Sequence, residues 1–164
     1  MDAENAQPLE SRPPTIEDLV FLCQALNAQK VKYIIIGGMA IIRQGFVRTT
    51  EDIDLLVDAA PANQRALYVA LEALPDKAVL ELEEHDLQLY QVVRIADEFV
   101  VDVMLSACGL MYEQVTDEIE CEVIDGISIP FASTKLLLKL KDTLREKDKL
   151  DAAFLISKLH RTTS

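Results

Sequence analysis

Apolar residues recur at Ile16, Leu19, Val20, Leu22, Cys23 and Leu26, the spacing of one helix face, and the pattern runs to about Gln29. Thr15 precedes it as a good N-cap, with Glu17 and Asp18 in the first turn, where carboxylates suit the helix dipole. The next segment, "VKYIII", is a β-branched run that reads as a buried strand, and Gly37-Gly38 ends it. "GMAIIRQG" reads as a short helix closed by Gly45, and "EDIDLLVD" as a second strand. Pro61 stands where a helix would begin, so "ANQRALYVALEAL" is expected to be helical.

From residue 78 to 105 the pattern turns to strands, with "QLYQVVRIA" and "EFVVDVMLS" joined through "ADE" as a hairpin. "LMYEQVTDEI" is expected to be helical. "CEVIDGISIPF" carries Asp125-Gly126 between two short apolar runs, a strong hairpin signal. Ser133 then caps one long helical segment from Thr134 to Leu159, whose Leu136, Leu137, Leu140 and Leu144 face inward. The order of elements predicts an α/β (α+β) domain, a mixed sheet with flanking helices and a C-terminal helical segment. Residues 1–14 are expected to be a flexible tail, 15–130 the core and 131–164 the C-terminal helical part.

The 164 residues, half of them hydrophobic, suffice for one domain with a real core. No apolar run reaches membrane-spanning length, and "MDAENAQPLESRPP" lacks the basic start and apolar centre of a signal peptide. Cys23, Cys108 and Cys121 are odd in number and far apart, which fits reduced, buried thiols in a cytoplasmic protein. Two histidines, His85 and His160, leave little material for a histidine zinc site or a Ser-His-Asp triad. The net charge of −12 argues against general DNA binding. The charge is uneven: residues 131–164 hold eight basic and four acidic side chains, net +4, leaving −16 elsewhere. Most of those basic residues read as a solvated helix surface, though an anion site there is compatible with the excess.

Asp52 and Asp54 share one face of the second strand, because residues two apart point the same way. Their mutual repulsion calls for a compensating cation, and hard oxygen ligands at this spacing suit Mg²⁺ or Mn²⁺. An edge strand showing its polar face to water and an acid–base pair are the other readings. Asp102, alone among apolar neighbours in "FVVDVML", also needs a partner, since an unpaired buried charge is costly. If its strand lies beside "EDIDLLV", three carboxylates meet, enough for two metals about 4 Å apart. Gly37-Gly38, free of side chains at the end of a strand, lets backbone N–H groups approach a phosphate. It fits neither a Rossmann fingerprint nor a Walker loop.

Together, "IIIGGMAIIRQGFVRTTEDIDLLV" and the later "FVVDVML" resemble the nucleotidyltransferase superfamily related to DNA polymerase β. With the terminal "LKLKDTLREKDKLDAAFL", the chain is similar to small AbiEii-type bacterial nucleotidyltransferases, a group that includes toxin components of toxin–antitoxin pairs. The resemblance spans about residues 30 to 158 and implies the following. Gly37 and Gly38 bind the triphosphate, with Arg48 and Thr50 near it. Asp52, Asp54 and Asp102 bind Mg²⁺ or Mn²⁺, and Asp102 assists deprotonation of the acceptor hydroxyl. Lys141 contacts the nucleotide, with Asp148 or Asp151 as the acidic residue of the C-terminal helices. Lys141, Arg145 and Asp148 share one helical face at their spacing. The implied reaction moves NMP from an NTP to a hydroxyl on RNA such as tRNA, or on a protein such as a cognate toxin or antitoxin partner. A non-catalytic nucleotide- or protein-binding module that keeps the fold is the alternative.

Overall fold

The computed structural model describes residues 10–140 and 146–163, with side chains for 10–140 and 150–160. Helix α1 (Ile16–Ala28) begins as its sequence predicts. The Thr15 hydroxyl accepts from the Asp18 backbone N–H, and the Asp18 carboxylate accepts from the Thr15 N–H. Two donors that a helix start leaves unmet are thereby satisfied. Arg12 pairs with the same carboxylate, and with its Thr15 bonds this holds Asp18 below the usual carboxylate range. Ser11 donates to the Asp97 carbonyl and the Arg12 N–H to that of Glu98, so the chain before α1 lies against the sheet.

Six strands form one mixed sheet: β1 (Tyr33–Ile36), β2 (Asp52–Val57), β3 (Val93–Ala96), β4 (Val100–Met104), β7 (Ile119–Ile124) and β8 (Ile127–Ala132). Their order is β3-β4-β2-β1-β8-β7. β1 runs antiparallel to β2 and parallel to β8, β2 runs parallel to β4, and the β3–β4 and β7–β8 pairs are antiparallel. A two-stranded ribbon, β5 (Ser106–Ala107) with β6 (Leu110–Met111), stands apart. All four residues of β1 are buried, as a central strand covered on both faces requires. Ile53 and Leu55 are fully buried while Asp52 and Asp54 are half-buried, so β2 alternates as read.

Helices α2 (Gly37–Arg43) and α3 (Pro61–Leu71) sit where the sequence places them, and α1 packs on α3. The stretch before β3 is a correction. Instead of strand it holds a 3-10 turn at Ala78–Glu81 and helix α4 (Asp86–Leu89). The cause is a carboxylate about twenty residues on: the buried Asp97 side chain accepts from the N–H groups of Asp76, Ala78 and Glu98, which curls the chain around it. Asp86 likewise accepts from the Glu83 N–H. "LMYEQVTDEI" is not a helix either. It gives β6 and two 3-10 turns, and from Ile119 the chain joins β8, Ile119 opposite Ala132. Strand pairing there overrides helix propensity.

The C-terminal part contains α5 (Thr134–Leu140) and α6 (Glu146–Thr163), and these two helices pack on each other rather than forming one rod. Leu136 and Leu137 are buried and Leu140 packs against the core, while Leu144 lies outside the described residues. Among the described residues, no helix is long and apolar enough to cross a membrane.

Candidate active site

Strand register assembles the carboxylates. In the parallel β2–β4 pair, Asp54 stands opposite Asp102, and in the antiparallel β3–β4 pair Asp102 stands opposite Arg94. Across β1, Asp54 faces Ile36, the residue before the glycines. One row across four strands thus runs Arg94, Asp102, Asp54, Ile36. Asp52 lies two residues from Asp54 on the same face, and ligand oxygens of Asp52, Asp54 and Asp102 all fall within 4.8 Å of one another. Asp102 is only 6 % exposed. Three hard oxygen donors this close fit a divalent cation such as Mg²⁺ or Mn²⁺.

The glycines are required by close approach. Gly37 opens α2 at φ +70°, a backbone region that suits glycine, and a Cβ there would meet Asp54 Cγ at 2.8 Å. A Cβ on Gly38 would meet the Thr50 Cβ at 2.8 Å and Arg48 Nη2 at 3.3 Å. The two glycines therefore seat the start of α2 directly on Asp54, Thr50 and Arg48. Thr50 is buried, and its hydroxyl donates to the Asp52 carbonyl, fixing the entry into β2.

Helix α6 closes one side. Asp151, 1 % exposed, accepts from Arg48 Nη1 at 2.5 Å. Phe154 stacks on Phe46 with ring centroids 4.8 Å apart, Leu155 is fully buried, and Lys158 Nζ donates to the Gln44 carbonyl. These residues form one helical stripe against the α2–β2 connection. A hollow of about 280 Å³ remains there, lined by Phe46, Arg48, Thr49, Thr50, Glu51, Leu150 and Asp151.

The structure thus brings together Gly37, Gly38, Arg48, Thr50, Asp52, Asp54 and Asp102, and adds Asp151 through Arg48. Lys141 and Arg145 lie outside the described residues. Asp148 belongs to α6, and its side chain is not among those described.

Sequence reading missed Arg94. Its Nε donates to Asp102 Oδ1 at 2.9 Å, and its Nη2 donates to Asp102 Oδ2 at 2.9 Å and to Asp52 Oδ2 at 3.3 Å. The hydrogen bonds and charge of Asp102, then the charges of Asp52 and Asp54, raise the Arg94 pKa further above its ordinary value. The signal was present: Arg94 is the polar position of an alternating strand, eight residues before Asp102 across a short hairpin.

No protein-family model matches the chain, and neither does any curated protein. Solved structures do match. The lincomycin-bound lincosamide antibiotic adenylyltransferase LnuA aligns with a TM-score of 0.60 at 19 % identity, over 90 % of this chain and 99 % of that one. A protein of Thermotoga maritima assigned to the nucleotidyltransferases aligns with a TM-score of 0.51 at 13 % identity, over 99 % and 94 % of the two chains. At such identities the likeness concerns architecture, and on that evidence the chain has the nucleotidyltransferase fold.

Proposed function

We propose that this protein is a divalent-metal-dependent nucleotidyltransferase that moves NMP from an NTP to a hydroxyl acceptor. The observation that carries the reading is the convergence of Asp52, Asp54 and Asp102 from two paired strands, with Gly37 packed directly on Asp54. In this reading Asp52, Asp54 and Asp102 hold Mg²⁺ or Mn²⁺, which when bound offsets negative charge on the triphosphate. The backbone N–H groups at Gly37 and Gly38 orient the phosphates, and Thr50 and Arg48 stiffen that turn from beneath. Lys141 and Asp148 are assigned to the nucleotide side by resemblance to the family.

The acceptor oxygen forms a bond to the α-phosphorus. The bridging bond between the α- and β-phosphates breaks, and pyrophosphate leaves with the electron pair. Asp102 takes the acceptor proton. Positioning and charge supply most of the rate, since no protein nucleophile is needed.

Three acceptor classes follow from different observations. The fold shared with a lincomycin-bound adenylyltransferase supports a small hydroxylated molecule. The sequence resemblance to toxin–antitoxin nucleotidyltransferases supports tRNA, or a cognate protein partner. The excess of basic residues after position 130 favours RNA over protein, and the −16 elsewhere favours the reverse. Incubation with each α-labelled NTP, Mg²⁺ and, in turn, lincomycin, total tRNA and cell lysate identifies the class by where the label appears. Absence of metal-dependent label in all of them, with purified protein shown to be folded, contradicts the proposal. One observation favours a non-catalytic module: Arg94 already pairs with Asp102 and Asp52 without a metal. That reading expects no binding of Mg²⁺, Mn²⁺ or NTP.

A further inference from the structure

We propose that Arg94 is a cation that Asp102 and Asp52 hold in the metal-free protein, and that it must release Asp102 before the site loads its divalent ion. The inference rests on the metal-dependent reading above and adds to it a gate made from this chain's own strand β3.

The geometry carries it. Arg94 grips both oxygens of Asp102 at 2.9 Å and reaches Asp52 at 3.3 Å, so one guanidinium spans two of the three proposed ligands. A side-on, two-bond contact of this kind uses the lone pairs that face the guanidinium. A divalent ion that took Asp102 while Arg94 stayed would hold a like charge within a few ångström, in a site where Asp102 is nearly buried. The two cations therefore compete for the same carboxylates.

Arg94 is built to leave as well as to stay. β3 is an edge strand of the sheet, and the Arg94 side chain is 62 % exposed while the side chain of its partner Asp102 is 8 % exposed. The guanidinium can move into water without repacking the core, whereas the aspartate is fixed between β2 and β3. Exchange of the cation also changes Asp102. In the Arg94-bound form both of its oxygens already accept hydrogen bonds, which leaves fewer lone pairs for an incoming cation. Metal loading and release of Arg94 thus become one event, and Arg94 acts as a positioning residue through Asp102.

The test compares the full-length protein with Arg94→Gln and Arg94→Lys. Mn²⁺ affinity is read by the loss of free-ion electron paramagnetic resonance signal, and the melting temperature is read with and without Mn²⁺. Arg94→Gln is expected to bind Mn²⁺ about tenfold more tightly or better, the low end of what removing a nearby unit charge gives. It should also melt below the wild type without metal, because Asp102 and Asp52 lose the guanidinium that bridges them, and recover at saturating Mn²⁺. Arg94→Lys keeps the charge, cannot make the two-bond grip, and should fall between. Should Arg94→Gln fail to fold, the Arg94→Lys affinity decides the matter in the same direction. Equal Mn²⁺ affinity in wild type and the Arg94 variants, abolished in each by Asp52→Asn with Asp54→Asn, overturns the gate and leaves the metal reading standing. No Mn²⁺ binding in any form overturns both.

Discussion

Replacing Gly37 by alanine tests the contact between the glycine turn and the carboxylates. Gly37 lies at φ +70°, and a Cβ there would meet Asp54 Cγ at 2.8 Å and Asp54 Cβ at 3.1 Å. Two costs follow. The left-handed conformation costs an L-residue about 1–2 kcal/mol. Overlap in a packed region adds about 1–3 kcal/mol, because Asp54 must move off its position opposite Asp102. The sum is about 2–5 kcal/mol, or a fall in melting temperature of roughly 4–20 °C for a chain of this size. Gly109→Ala separates the terms. Gly109 has φ +78° with nothing within 4 Å, so it carries the backbone cost alone. Circular dichroism melts of the two variants should differ by the overlap term, about 1–3 kcal/mol. Gly37→Ala should also bind Mn²⁺ more weakly than wild type, and Gly109→Ala should not. If both variants melt together and bind Mn²⁺ equally, the packing of Gly37 on Asp54 is wrong, and with it the account of why glycine stands there.

Asp52→Asn with Asp54→Asn should reduce NMP transfer by more than about hundredfold, since even outer partners of a metal site are worth 10–100-fold; steady-state transfer to the acceptor that the labelling experiment identifies checks it. Arg48→Ala takes the guanidinium from the buried Asp151 and unpins α6 from the α2–β2 loop, a loss of up to about 3–5 kcal/mol by urea titration. Unchanged stability would show that α6 is held by its other contacts, the Phe46–Phe154 stack, Leu155 and Lys158 among them. Burial pushes the Cys23 thiol up to about 12, while Cys108 and Cys121, expected to be buried, are exposed. A thiol reagent at pH 8 should therefore titrate two cysteines quickly and the third only on unfolding. Asp18 is held below its ordinary value by Arg12, so its contribution is present above the unfolded carboxylate pKa and disappears as pH falls through the folded one. Asp18→Asn should accordingly be less stable than wild type at pH 7 and lose that difference in melts run into the acid range below about pH 4.

Much of the site was legible because its parts are local in sequence or obey strict periodicity. Asp52 and Asp54 share a face by the pleat alone, and Gly37-Gly38 announces a turn wherever the strand before it ends. The lone Asp102 in an apolar run demanded a partner, and the β2–β4 pairing supplies the neighbourhood that demand implied. The Thr15 cap and the Asp125-Gly126 hairpin were equally plain, each written within a few residues. What escaped was set by contacts distant in the chain. The curl at Asp76–Glu81 depends on the carboxylate of Asp97, about twenty residues on, which no window of residues 78–90 displays. The strand at Ile119 depends on β8 as its partner. Arg94 looked like the polar side of an ordinary strand until the β3–β4 register set it opposite Asp102. Arg48 was expected near phosphate from its place before β2, and what the structure adds is its bond to Asp151 more than a hundred residues later, which ties the loop to α6.

The central claim is that Asp52, Asp54 and Asp102 form a metal site that binds nucleotide. The measurement that tests it most directly is the melting temperature with each NTP, with and without Mg²⁺, in wild type and in Asp52→Asn with Asp54→Asn. A ligand that binds only the folded protein raises its melting temperature by mass action. The expected result is a rise for at least one NTP that requires Mg²⁺ and is absent in the double variant. A rise that persists in the double variant, or none with any NTP in the folded wild-type protein, would contradict the account.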